Sequence, residues 1–162
     1  DSLAGVLPTI RSRCISFAIA PVSPADCARY CTAHGVDKKT AALYSELFDG
    51  HIGTVLTAAR DKARTEQVDK AMELARAAQA GDSYTAAVLL APYEKDKAGA
   101  AALLRDLRAV AAAGLQGSPH APVQGQQAQR TLRLAEAAIQ RLGAQVNPKI
   151  VLTVFAARLA HA

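Results

Sequence analysis

Residues that start and stop helices recur along nearly the whole chain, and their spacing leaves room for little else. Ser23-Pro24-Ala25-Asp26 sets a capping hydroxyl ahead of a proline at the first helical position, with a carboxylate three residues on that can reach back. Gly35 ends that helix, Asp37 caps a second that runs through about Phe48 to a stop at Gly50, and a third short helix spans about Ile52 to Ala59. A long helix follows from about Lys62 to Ala80, closed by Gly81. Asp82 or Ser83 caps the next, which Pro92 breaks. The pattern predicts another helix from about Asp96 to Ala113, closed by Gly114, and after a loop over 115–125 a helix resuming near Gln126. Asn147-Pro148 caps the last one.

The apolar positions fit the same reading. Leu103, Leu104, Leu107, Val110 and Ala111 fall on one stripe, with Arg105, Asp106 and Arg108 outside it. Ala128, Leu132, Ala135, Ile139 and Leu142 step by four and three, the spacing of a bundle seam. Ile150, Val151, Val154 and Phe155 supply a final apolar face. Only residues 14–19, Cys-Ile-Ser-Phe-Ala-Ile, alternate as a short strand does, and a lone strand needs partners from elsewhere. Hydrophobic residues make up 51% and charged residues 20%, enough to pack a core; with aromatics at 4% and no Trp, that core must be close helix–helix seams of Ala and Leu. The expected fold is mainly α: a short strand remnant in residues 1–19, a small three-helix unit over 20–61 and an antiparallel helical bundle over 62–162.

The net charge of +5 sits entirely in residues 62–162, where 13 Lys/Arg face 8 Asp/Glu; residues 1–61 balance. That permits contact with nucleic acid or an acidic partner, and equally a solvated surface of mixed sign. Cys14, Cys27 and Cys31 are odd in number and lack a disulfide framework, which suits a reducing, cytoplasmic setting. The apolar run Ile150 to Ala157 is too short to span a bilayer, so no membrane partner is expected.

Few residues suggest chemistry of their own. Cys27 and Cys31 share a helix face, yet no pair among His34, His51, His120 and His161 completes a zinc site, so two small buried thiols and no metal are expected. There is no nucleophile elbow and no phosphate-binding Gly-x-x-x-x-Gly-Lys loop, so this chain is not expected to hydrolyse ATP. Arg13, just ahead of the expected strand, reads either as a surface or salt-bridged residue or as a guanidinium offered to a phosphate held elsewhere.

Leu7-Pro8-Thr9-Ile10-Arg11-Ser12-Arg13-Cys14 resembles the Thr-Ile-x-Ser-Arg-Cys segment of sliding-clamp loader subunits, namely bacterial DNA polymerase III gamma/tau and delta-prime and the eukaryotic replication factor C subunits. Leu103-Leu104-Arg105-Asp106-Leu107 and Asn147-x-x-Ile150 are similar to delta-prime sequences. The resemblance implies that residues 1–19 close an AAA+ ATPase core whose nucleotide-binding half lies outside this chain, that 20–61 form a lid, and that 62–162 form an oligomerising collar. It implies that Arg13 is an arginine finger acting on ATP in a neighbouring subunit, with no cofactor bound here. The implied partners are the gamma/tau and delta subunits, with the sliding clamp and primer–template DNA met through the assembled complex. The parent complex would be DNA polymerase III, a DNA-directed DNA polymerase and nucleotidyltransferase, while this chain itself is not catalytic. Active gamma/tau subunits carry Gly-Ser-x-Arg at the third lid helix; here the stretch is Gly50-His51-Ile52-Gly53, which favours delta-prime over an active ATPase subunit. The other alternative is an unrelated helical scaffold or basic nucleic-acid-binding bundle.

Overall fold

The computed structural model describes residues 7–15, 17, 20, 22–144 and 146–160. Among them the chain forms nine α-helices and no strand. A one-turn helix, α1 (Pro8–Arg11), precedes three short helices, α2 (Pro24–Ala33), α3 (Lys38–Leu47) and α4 (Ile52–Arg60). Five more follow: α5 (Lys62–Ala80), α6 (Ser83–Leu90), α7 (Lys97–Leu115), α8 (Gly125–Gly143) and α9 (Pro148–Ala160), with a 3₁₀ turn at Ala91–Tyr93 where Pro92 interrupts α6.

The helix ends form as the local sequence dictates. Ser23 Oγ accepts from Asp26 N–H at 3.1 Å, and the Asp26 carboxylate answers by accepting from the Ser23 hydroxyl at 2.7 Å rather than from its backbone. Asp37, Asp61, Asp82 and Asp96 each accept backbone N–H groups of the first turn that follows. Asn147 does the same for α9 through Lys149 N–H. At the end of α2, Val36 N–H donates to Cys31 O and Gly35 N–H to Thr32 O, a Schellman closure repeated after α5 and α7.

Four expectations need correction. No strand forms among the described residues of 14–19: Cys14, Ile15 and Phe17 are exposed with no ladder beside them, and an alternating pattern becomes a strand only when a neighbour takes its hydrogen bonds. The remaining positions of that stretch, 16, 18 and 19, lie outside the described residues. Gly114 does not close α7, which continues to Leu115 and turns at Gly117 in the left-handed region, φ +81°. Gly114 serves instead for close approach, since a Cβ there would stand 1.9 Å from Val123 O in the returning loop. Asp106 is buried although periodicity set it outside the stripe. Finally, one member of the expected α9 face, Ile150, is exposed; Val151 and Phe155 are buried as expected, and Leu152, Ala156 and Leu159 join them because α9 packs on both α6 and α8.

The core is continuous from Cys27 in α2 to Leu159 in α9. Its centre is α7, laid against α5 and α8, with Leu103, Leu104, Leu107 and Val110 fully buried. Each such side chain contributes about 1.5–3 kcal/mol of transfer free energy. The helices α2, α3 and α4 pack on one another and reach the bundle through α4 on α5 and α3 on α7.

Candidate functional site

The residue that the sequence singles out, Arg13, lies in the turn after α1. Its N–H donates to Ile10 O at 3.0 Å, and Ser12 closes the same turn by donating its hydroxyl to Thr9 O at 3.1 Å. Proline at the first position and these two bonds explain why so short a helix forms. Ser12, Arg13 and Cys14 are all exposed, and so are Leu7, Ile10, Ile15 and Phe17, the last two by more than four-fifths. Arg13 is thus an exposed cation in a segment whose apolar residues are exposed as well.

Gly50 and Gly53, at the start of α4, have different causes. Gly50 is required by the fold: its φ is +72°, and a Cβ would fall 1.8 Å from Val22 O. Gly53 is not, because a Cβ there meets nothing within 4 Å. It lines a shallow surface depression of about 340 Å³ together with Thr54, Thr57, Asp61 and Arg64. A Cβ at position 53 would be accommodated sterically, so local packing does not require a glycine there.

A polar junction joins the three short helices to the bundle, and sequence reasoning missed it. Asp61 alone separates α4 from α5, accepting from Ala63 N–H at 2.9 Å while its own N–H donates to Thr57 O. One turn on, the Arg64 guanidinium forks onto the Asp106 carboxylate of α7, and Gln67 donates to the same carboxylate at 2.6 Å. Arg64 also lies over the Phe48 ring at 5.5 Å, and Phe48 meets Tyr44 edge-on at 5.6 Å. The Asp106 hydrogen bonds hold the Arg64 guanidinium above its ordinary pKa, while burial pushes the Tyr44 phenol up. Ser118, in the loop after α7, donates to the Glu46 carboxylate of α3. These contacts tie α3, α5, α7 and that loop together. With its charge paired and stacked, Arg64 fastens helices and is not offered to a ligand.

The remaining candidates separate in space. Cys27 and Cys31 face each other on α2, both fully buried; burial first, and then the neighbouring thiol, pushes Cys31 above the usual cysteine range, which disfavours a reactive thiolate. His34 stacks on Tyr30 at 4.0 Å, with Nδ1 2.8 Å from Tyr30 O. Among the described residues no group of three His, Cys, Asp or Glu side chains is placed to hold a metal ion, and no helix is long and apolar enough to cross a membrane. Comparison with known protein families, with curated proteins and with solved structures finds no match for this chain.

Proposed function

We propose that this chain belongs to a delta-prime-type subunit of a DNA polymerase III clamp loader, acting in the cytoplasm. In this reading it assists loading of the sliding clamp onto primed DNA, offers Arg13 to ATP bound in a neighbouring subunit, and uses α5–α9 as a collar that docks on the gamma/tau and delta subunits. The observation that carries the proposal is Arg13, exposed in the Leu7–Cys14 segment immediately ahead of three short helices and a long-helix bundle. That order suits a finger, a lid and a collar. An exposed guanidinium stabilises charge developing on a transferred phosphoryl group when a nucleotide bound in another subunit is brought to it. Gly53 supports the delta-prime reading over the gamma/tau one: packing around a Cβ does not require glycine there, and the arginine of the gamma/tau pattern is absent.

The test is reconstitution with gamma/tau and delta subunits. Arg13→Ala is expected to leave assembly intact by gel filtration while lowering turnover at the ATP site it serves by on the order of 10³-fold. Arg13→Lys should not restore it, because a point charge does not reproduce the planar fork. DNA-stimulated ATPase unchanged by Arg13→Ala would refute the finger assignment.

A further inference from the structure

The excess positive charge is more localised than the division at residue 61 suggests. Residues 116–162 hold five Lys/Arg against one acidic residue, Glu136, and so carry +4 of the total +5. Within that segment α8 divides sharply. Ala128, Thr131, Ala135, Ala138 and Leu142 are buried against the bundle. The opposite face presents Gln126, Gln129, Arg133, Glu136, Gln140 and Arg141 to solvent over four turns, with Arg130 half-buried at its edge. Beside its first half lies an open groove of about 750 Å³, walled by Gln and Arg side chains with a single Leu and no carboxylate. Glu136 is drawn aside toward Arg108 of α7.

The side chains of this face are used unequally. Gln127 donates to Ala78 O and Leu159 O, and Arg130 donates to Arg158 O at 2.7 Å, so both hold α8 against the ends of α5 and α9. Gln126, Gln129, Arg133 and Arg141 make no hydrogen bond or ion pair among the described residues and extend into solvent. Unpaired guanidinium and amide donors in a row are complementary to phosphate oxygens, and the one carboxylate of the row, Glu136, is turned toward Arg108. Arg133 and Arg141 are separated by a rise of about 12 Å along the helix, the span of a few phosphates along one strand of a duplex at about 3.4 Å each. No aromatic side chain lines the groove, so it lacks the stacking platform that single-stranded nucleic acid needs.

We propose that the outward face of α8 is a binding surface for double-stranded nucleic acid, gripping the phosphate backbone through Arg133 and Arg141 with the adjoining glutamines as further donors. This inference stands apart from the clamp-loader reading, since it needs no partner subunit. It is tested with the purified chain and a fluorescent 20-base-pair DNA duplex by anisotropy over a salt series. The wild type should bind with affinity that falls as salt rises. The pair Arg133→Gln with Arg141→Gln, which keeps polar helix-forming side chains, should lower affinity roughly 30- to 100-fold at 0.1 M salt and reduce the salt slope by about 2. Lys38→Gln with Lys39→Gln, which removes the same charge from α3, should leave both unchanged. The proposal is overturned if the two pairs weaken binding equally, if the wild type fails to bind the duplex at 50 mM salt, or if polyglutamate competes as well per charge as the duplex. That last outcome would assign the face to an acidic protein.

Discussion

The three short helices α2–α4 and the five-helix bundle α5–α9 are stabilised differently. In the bundle, α5, α7 and α8 run 19 residues each, and α7 is covered by α5 on one side and α8 on the other. Its core is a dense set of Ala and Leu with little polar content. The helices α2 and α3 are 10 residues and α4 is 9, and their apolar contribution is small: Cys27, Cys31, Val36, Ala41, Tyr44, Leu47, Val55 and Ala58. A unit of that size rarely closes a sufficient core by itself. It borrows from α5 and α7 and is fastened there by Arg64–Asp106, Phe48 and Glu46–Ser118. The contrast teaches that a small helical unit can be positioned by directional polar contacts while a larger neighbour supplies the apolar free energy.

The severest way to break the contrast is through the bundle. Leu107→Ala at the fully buried centre of α7 should cost about 2–5 kcal/mol. It should lower the midpoint of chemical denaturation for both regions together, because α2–α4 lean on the same helix. Retention of native far-UV dichroism by α2–α4 after the bundle has melted would show that the small unit folds alone.

Asp106→Ala acts at the junction. It leaves the largely buried Arg64 without its carboxylate and should cost about 2 kcal/mol. Amide hydrogen exchange should accelerate in α2–α4 more than in α8 and α9. Arg64→Met combined with Asp106→Leu should recover most of the loss, since an apolar pair of similar size removes both buried charges. Equal acceleration throughout the chain would mean that the junction is not a local fastening.

The mildest probe is acid. Asp37 is held below its ordinary pKa of 3.8 by the backbone N–H of Thr40, so its folded-state value lies under its unfolded one. The stability it lends to α3 is therefore complete above about pH 4 and is lost as pH falls through the lowered value. Asp37→Asn should keep the cap and remove this pH dependence, measured as a flatter profile of melting temperature below pH 4. A profile identical to the wild type's would exclude Asp37 as a contributor.

What could be read in advance follows the range of each interaction. Every cap joins residues two or three apart, so Ser23, Asp37, Asp61 and Asn147 exert their effect before any tertiary contact exists. The ends of α5 at Lys62 and Ala80 fall where Asp61 and Gly81 require. Arg13 stands out through its resemblance to a known segment, since an exposed arginine in a turn has no local pattern of its own. Its exposure, and the difference between a Gly50 the backbone demands and a Gly53 it does not, arise only in the tertiary structure.

By itself, then, the sequence determined that the chain is helical, where most helices begin and end, and that its cores are Ala/Leu seams, because those outcomes rest on hydrogen bonds and side-chain periodicity within one helix. The tertiary structure alone decided how far burial extends to either side of an apolar stripe. Asp106 looked solvated from its own helix and became buried when Arg64, 42 residues earlier, met it across α5 and α7. Ile150 looked like core and became surface because α9 had two neighbours to cover. A helical pattern fixes a face only to within the width of its apolar stripe; the helices packed against it choose the direction within that width, and that choice depends on residues far away in the chain.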